Sequence, residues 1–156
     1  YAGKLVAAID RQHPRDLFDV GVLFENEGIT DGLFRVFIVY LIGHKGTLAD
    51  TLNPNRKPLD ATFRSQFESM AKRAVSVKQL EETREMLIKT IHARLGDKEK
   101  QFLLSVKRRA PEWGLLGLEA AAELPAVKWK LYNLSRMEKA AHQRAVDRLA
   151  RLLDEI

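Results

Sequence analysis

The sequence contains no cysteine, only five prolines and no long hydrophobic run, and each scarcity excludes a class of protein. Without cysteine the chain forms neither disulfides nor thiolate metal sites, which is compatible with a reducing cytoplasm. The longest apolar stretch, around residues 36–42, is far shorter than the roughly 20 residues that a membrane-spanning helix requires. The sequence has no basic region followed by an apolar run, so no signal peptide is predicted. We therefore expect a cytoplasmic protein without a membrane partner.

The residues that are present predict a globular, basic protein. Of the 156 residues 46% are hydrophobic and 30% are charged, so a buried core is expected and intrinsic disorder is not. The net charge of +5 favours polyanions such as RNA or nucleotides. The chain begins at Tyr1 with a helical pattern already running, which predicts a fragment of a longer protein; processing is the alternative.

Apolar residues recur at helical spacing through most of the chain, and the breaks between them predict an all-α fold of seven or eight helices. The predicted ranges are 1–10, 15–24, 32–43, 60–73, 77–95, 97–109 and 125–156. A break near residues 135–138 would divide the last range into two helices. Between them, one or two helical turns are expected at 118–124, and no segment alternates as a strand would. The apolar helix 32–43 should be central to the core. The loop-rich stretch 44–58 predicts a boundary between parts 1–50 and 51–156.

Capping residues predict where these helices begin and end. The predicted N-caps are Thr30 or Asp31, Asp60, Ser76 in a capping box with Gln79, and Asp97. Gly96 suits a left-handed position closing the helix before it, and Pro125 suits the first turn of the helix that it begins.

A charged constellation lies at the start of the chain. Lys4 and Arg11 are seven residues apart and share one face of the first helix, while Asp16 and Asp19 share a face of the second. Pro14 makes a tight corner that can bring the two faces together. A lysine suits a triphosphate, and a carboxylate can bind Mg²⁺ or can orient the lysine or the attacking hydroxyl. The alternative is purely structural, with Lys4 paired to Asp16 or Asp19 only to tie the helices.

The segment KLVAAIDRQHPRDLFD, residues 4–19, resembles the lysine and Arg-Asp motif of the AbiEii/AbiGii family of nucleotidyltransferase toxins. The matching positions are Lys4, Leu5, Ala7, Arg11, Arg15, Asp16, Phe18, Asp19 and Val20. A second likeness covers PAVKWKLYNL, residues 125–134.

The resemblance implies that the chain is the multi-helix C-terminal lobe of a polymerase-β-like nucleotidyltransferase, with the catalytic sheet absent. Lys4 and Asp16 would then be catalytic, and Arg11, Arg15 and Asp19 would bind substrate. Family members transfer a nucleotide from an NTP, with tRNA as acceptor in known cases, and are paired with an antitoxin protein.

One family element is missing from the sequence. The Gly-Ser and Asp-x-Asp pattern that holds Mg²⁺ in the family does not occur here. Two-metal transfer depends on those carboxylates. No histidine lies three or four residues from another, so no helical metal pair is predicted either. We expect Mg²⁺ and NTP to serve the full-length enzyme, and this fragment alone to be inactive and to bind neither of them.

Two further predictions concern the remainder of the chain. Lys107, Arg108 and Arg109 form a basic cluster that either meets the dipole of a helix C-terminus or contacts RNA phosphates. Most aromatic residues, including Trp129, lie at core spacing. The alternatives to the enzyme are a non-catalytic helical module that binds RNA or a protein partner, and a helical domain with no site.

Overall fold

The computed structural model describes residues 1–69 and 74–156, and in these ranges the chain consists of nine α-helices and two 3-10 segments without a strand. The helices are α1 Ala2–Arg11, α2 Pro14–Asn26, α3 Asp31–Gly43, α4 Leu48–Leu52, α5 Asp60–Gln66, α6 Val77–Arg94, α7 Asp97–Lys107, α8 Pro125–Ser135 and α9 Lys139–Glu155. The 3-10 segments are Trp113–Leu115 and Glu119–Glu123. The all-α prediction is confirmed, including the break between α8 and α9.

Local hydrogen bonds explain where several helices begin. The Thr30 side chain accepts from the amide of Leu33 at 3.2 Å. Ser76 and Gln79 form the complete capping box at the start of α6. Pro125 is the first residue of α8, where its missing N–H costs no helical hydrogen bond. These three predictions are confirmed.

Two predicted helix ends are wrong. The N-cap of α5 is Leu59 instead of Asp60, and α5 ends at Gln66; the predicted helix 60–73 also includes residues 70–73, which lie outside the described ranges. Gly96 has a φ of −78° and is the N-cap of α7. Because α7 begins directly after it, the connection has no room for a left-handed closing residue.

The core is continuous from the first helix to the last. Helices α1 and α2 pack against α3 and α6, and α9 packs on α4 and α7. Helix α4 lies inside the region predicted as a boundary, yet Leu48 and Leu52 are buried in the same core as α1. The division into residues 1–50 and 51–156 stays a prediction.

Helix α3 is central to the core, as predicted, but the core position predicted for Trp129 is wrong. Helix α3 buries Phe37, Ile38 and Leu41, but Val36 and Tyr40 on its other side are exposed. Trp129 on α8 is also exposed, because the side of α8 that faces the core carries Val127 and Leu134 instead. Apolar residues on these two helices therefore line the protein surface. No helix of the described ranges has the length and apolar character to cross a membrane.

Candidate functional site

The corner between α1 and α2 positions the charged residues predicted from the sequence. Gln12 closes α1 in the left-handed conformation, with a φ of 53° and its amide donating to the carbonyl of Ala8 at 3.2 Å. His13 then caps α2, because its Nδ1 accepts from the amide of Arg15 at 3.2 Å. Pro14 begins α2. Only two residues separate the helices, so the turn is tight, as Pro14 predicted.

Two ion pairs join the helices across this corner. Lys4 pairs with Asp19, and the Nη2 of Arg11 lies 3.1 and 3.0 Å from the two carboxylate oxygens of Asp16. The faces meet as the spacing predicted, and Lys4 pairs with Asp19. Arg15 is exposed on α2. The structure therefore brings four of the five predicted residues into two pairs.

The cations are more accessible than the carboxylates. The side chains of Lys4 and Arg11 are 53% and 63% exposed, whereas those of Asp19 and Asp16 are 29% and 13% exposed. Each carboxylate thus holds a cation from the protein side and leaves part of it open to solvent. Such an arrangement suits an anionic ligand, because the donors are oriented before it arrives.

A buried polar network fixes the corner, and sequence reasoning missed it. The Nε2 of Gln12 donates to the carbonyl of Asn55 at 2.7 Å, and its Oε1 accepts from the amide of Lys57 at 2.9 Å. The same Oε1 accepts from the guanidinium of buried Arg84 at 3.1 Å. The guanidinium also donates to the carbonyl of Lys57 at 2.7 Å. Gln12 therefore ties the corner to α6 and to the segment before α5.

A groove of about 760 Å³ opens beside the ion pairs. Its walls are α1, α3 and the start of α8, and Ala7 and Arg11 of α1 belong to its lining. The lining is mainly apolar, with Asp10, His44 and Lys45 as further polar members. This composition and size are typical of small-molecule sites.

Close packing shapes two walls of this groove. The ring of Tyr40 lies against Gly3, where an added Cβ would come within 3.0 Å of it. At the other end, an added Cβ on Gly43 would lie 3.2 Å from the Cβ of Ala126, so α3 and α8 approach closely there. The two glycines thus set how near Tyr40 and α8 come to the groove.

Lys130 of α8 binds backbone carbonyls just after the C-terminal end of α3. Its ammonium donates to the carbonyls of His44 at 2.7 Å and Gly46 at 2.5 Å. Burial, with a smaller contribution from the charge of Lys107, lowers the pKa of Lys130 to about 8. Lys130 thereby satisfies carbonyls of the turn that follows α3.

The predicted basic cluster does not lie on one surface. Lys107 is buried, and this burial lowers its pKa although the nearby charge of Asp50 opposes the shift. Arg108 and Arg109 are exposed, and Arg109 donates to the carbonyl of Met137 at 3.1 Å. Only the two arginines remain accessible to a partner, and RNA contact by them stays a prediction.

The residues present do not fit a magnesium site. Within residues 1–69 and 74–156, no three side chains of the His, Asp and Glu types converge on one point. Asp16 and Asp19 each already bind a cation of α1. Mg²⁺ is usually bound by one or two carboxylates together with waters and substrate phosphates, and the cations paired with Asp16 and Asp19 would repel it from both carboxylates.

Comparison with known proteins identifies the family. A family model described as nucleotidyl transferase AbiEii toxin, Type IV TA system, matches residues 1–115. The match includes both ion pairs, and the second likeness at residues 125–134 lies beyond it. No curated protein and no solved structure matches the chain. Because the model matches more than half of the sequence and includes the Lys4–Asp19 motif, the chain belongs to the AbiEii family of nucleotidyltransferase toxins of type IV toxin–antitoxin systems.

Proposed function

We propose that this chain supplies the triphosphate-binding helices of an enzyme that transfers a nucleotide from an NTP to an RNA acceptor, with tRNA as the expected acceptor. The observation that carries the proposal is the pair of exposed cations, Lys4 and Arg11, each held by a carboxylate of α2. In the transfer, an acceptor hydroxyl forms a bond to the α-phosphorus and pyrophosphate leaves. Cations that meet the charge growing on pyrophosphate stabilise this transition state.

The pairing supports a distinct role for each charged residue. Lys4 and Arg11 contact the phosphates. Asp19 orients Lys4, and Asp16 acts through Arg11, so the geometry supports a positioning role for Asp16 in place of the catalytic one that the resemblance implies. Arg15 remains a predicted substrate-binding residue.

The groove beside Arg11 would accept the base and ribose of the nucleotide. Its volume of about 760 Å³ leaves ample room for a nucleoside, and the exposed ring of Tyr40 offers a surface for a base. A nucleoside bound in the groove would place its phosphates at the edge of the groove, next to Arg11.

The metal-dependent half of the reaction lies outside this chain. In the family, Mg²⁺ supplies charge stabilisation through the Gly-Ser and Asp-x-Asp element, which the sequence lacks. We still expect no transfer by this chain alone, but the oriented cations and the groove support binding of NTP, which the sequence did not predict for the fragment. The type IV system implies a cognate antitoxin as the protein partner, and the cytoplasm is the expected compartment.

Binding of fluorescent NTP analogues to the 156-residue chain tests the proposal. Lys4→Ala and Arg11→Ala should each weaken the affinity about ten- to hundredfold, because a charge-assisted phosphate contact contributes roughly 1.5–3 kcal/mol. Lys89→Ala, which removes an exposed lysine of α6, is the matched control and should change nothing. If all three variants bind NTP as tightly as the parent chain, α1 does not bind the triphosphate.

A double-mutant cycle tests how Asp16 acts. If Asp16 works through Arg11, then Asp16→Asn should weaken NTP binding in the parent chain but not in the Arg11→Ala background. Additive losses would show that Asp16 has a contact of its own. In a longer product that carries the Gly-Ser and Asp-x-Asp element, Lys4→Ala should also abolish transfer of labelled nucleotide to tRNA. NTP-independent RNA binding without any transfer would instead favour a non-catalytic module.

A further inference from the structure

The exposed face of α8 carries two aromatic rings that no part of the described core covers. Trp129 is 64% exposed and Tyr132 is 49% exposed. Their positions three residues apart put both rings on one face of the helix. This side of α8 looks away from α3, on which the helix packs. Large aromatic side chains normally bury most of their area, so a pair of them at the surface points to a ligand.

The two rings form a preorganised aromatic pair. Their centroids lie 5.7 Å apart with an interplanar angle of 25°, so the rings stack on each other. The guanidinium of Arg136 lies 5.6 Å from the centre of the Tyr132 ring and donates to its hydroxyl at 3.1 Å. These contacts restrain the rotamers before any ligand binds, which reduces the entropy lost on association.

The charge around the rings is positive. Residues 125–136 include Lys128, Lys130 and Arg136 and no acidic residue. Lys130 faces the carbonyls at the end of α3, so Lys128 and Arg136 are the cations of the exposed face. Lys128 is paired with Glu123 at 2.6 Å, which leaves Arg136 as the better placed cation for an anion beside the rings.

We propose that single-stranded RNA binds this face, with a base stacked on the exposed ring of Trp129, which Tyr132 supports from its other side, and a phosphate beside Arg136. Every base has a π-face, and the unpaired bases of a single strand are free to stack on aromatic side chains. A protein partner would favour apolar side chains around the rings, and here the charged residues on the exposed face of α8, Lys128 and Arg136, are both basic. The proposal rests on the proposed function, in that the RNA would be the acceptor strand, and it places that strand on α8 rather than at Lys107–Arg109.

Affinity for a fluorescein-labelled single-stranded RNA 10-mer of mixed sequence, measured with the 156-residue chain, tests the proposal. Trp129→Leu should weaken binding about tenfold, as loss of one stacked base contact predicts, while Trp129→Phe should stay within about threefold. Met86→Ala is the control, because it removes a large apolar side chain of α6 that is 52% exposed and should leave RNA affinity unchanged. A blunt RNA duplex should bind more weakly than the single strand and should not respond to Trp129→Leu.

Tryptophan fluorescence gives a second readout that a merely structural effect would not produce. The chain has two tryptophans, and Trp113 packs against Phe102 with ring centres 5.5 Å apart. In the Trp113→Phe variant Trp129 is the sole tryptophan, and stacking of a base on it should quench the emission as RNA is added. A helical circular dichroism spectrum equal to that of the parent chain verifies that each variant is folded.

The outcomes separate this inference from the proposed function. Unchanged RNA affinity in Trp129→Leu, equal losses for duplex and single strand, or unquenched Trp129 emission would each overturn it. If Trp129→Leu instead converts a dimer to a monomer and leaves RNA affinity unchanged, the face pairs with a second copy of the chain and the proposal is also wrong. None of these results affects NTP binding at Lys4, which is measured without RNA.

Discussion

Replacing Gln12 with alanine is expected to lower the free energy of unfolding by about 3 kcal/mol. The side chain is 2% exposed and makes three hydrogen bonds, with Asn55, Lys57 and Arg84. Two neutral bonds contribute about 1 kcal/mol each and the bond from the guanidinium about 1.5–3 kcal/mol. The sum exceeds 3 kcal/mol, but Arg84 keeps its bond to the carbonyl of Lys57, so part of the network survives.

Backbone conformation contributes a separate, measurable part. Gln12 has a φ of 53°, a left-handed conformation that costs a non-glycine residue roughly 1–2 kcal/mol. Gln12→Gly loses the same hydrogen bonds as Gln12→Ala but avoids this strain. The glycine variant should therefore be more stable than the alanine variant by about 1 kcal/mol.

Urea and thermal unfolding followed by circular dichroism at 222 nm measure both effects. At roughly 2–4 °C per kcal/mol for a chain of this size, the melting temperature of Gln12→Ala should fall by about 6–12 °C. Gln101→Ala, which removes an exposed glutamine of α7, is the control and should stay within about 0.5 kcal/mol. A Gln12→Ala variant as stable as this control would refute the reasoning, because the corner would then depend on Pro14 and the helix caps alone.

Three further predictions concern titration, capping and the ion pairs. Lys130 loses its proton near pH 8 in the folded chain and near 10.5 when unfolded, so the unfolded state binds more protons between these values. The free energy of unfolding measured in urea should therefore rise with pH over this window because of Lys130, and Lys130→Met should remove this rise. If the variant and the parent chain show the same pH dependence, the prediction is wrong. Ser76→Ala should lower the free energy of unfolding by about 1 kcal/mol, because it removes the N-cap of α6. Ser135→Ala is the control, and equal effects of the two substitutions would show that the capping box does not stabilise the chain. Lys4→Ala should change unfolding by less than about 1 kcal/mol, because its pair is exposed, and a larger loss would favour a structural role for Lys4.

Helical periodicity made most of the fold predictable. Local signals such as the Ser76 box and Pro125 specify where a helix begins, and these depend on residues within one turn. Gly96 shows the limit of such signals, because whether a glycine closes one helix or begins the next depends on how soon the next helix starts. Trp129 shows another, because spacing indicates a shared face without indicating which face meets the core.

The charged residues of the site were predictable as faces but not as pairs. A spacing of seven puts Lys4 and Arg11 on one side of α1, and a spacing of three does the same for Asp16 and Asp19. Which carboxylate meets which cation depends on the rotation between the helices, and that rotation follows from the left-handed Gln12. Its partners lie 43, 45 and 72 residues away in the sequence, so no local pattern predicts them.

This contrast between near and distant partners has a consequence for how the site forms during folding. The ion pairs span only 15 and 5 residues, so the loops that they close cost little entropy and can form early. The hydrogen bond from Arg84 that holds Gln12 against α6 closes a loop of 72 residues, so we expect it to form later. We therefore expect refolding chains to pair their charges before the cations are correctly aimed, with NTP affinity recovering later than helix content in a stopped-flow experiment.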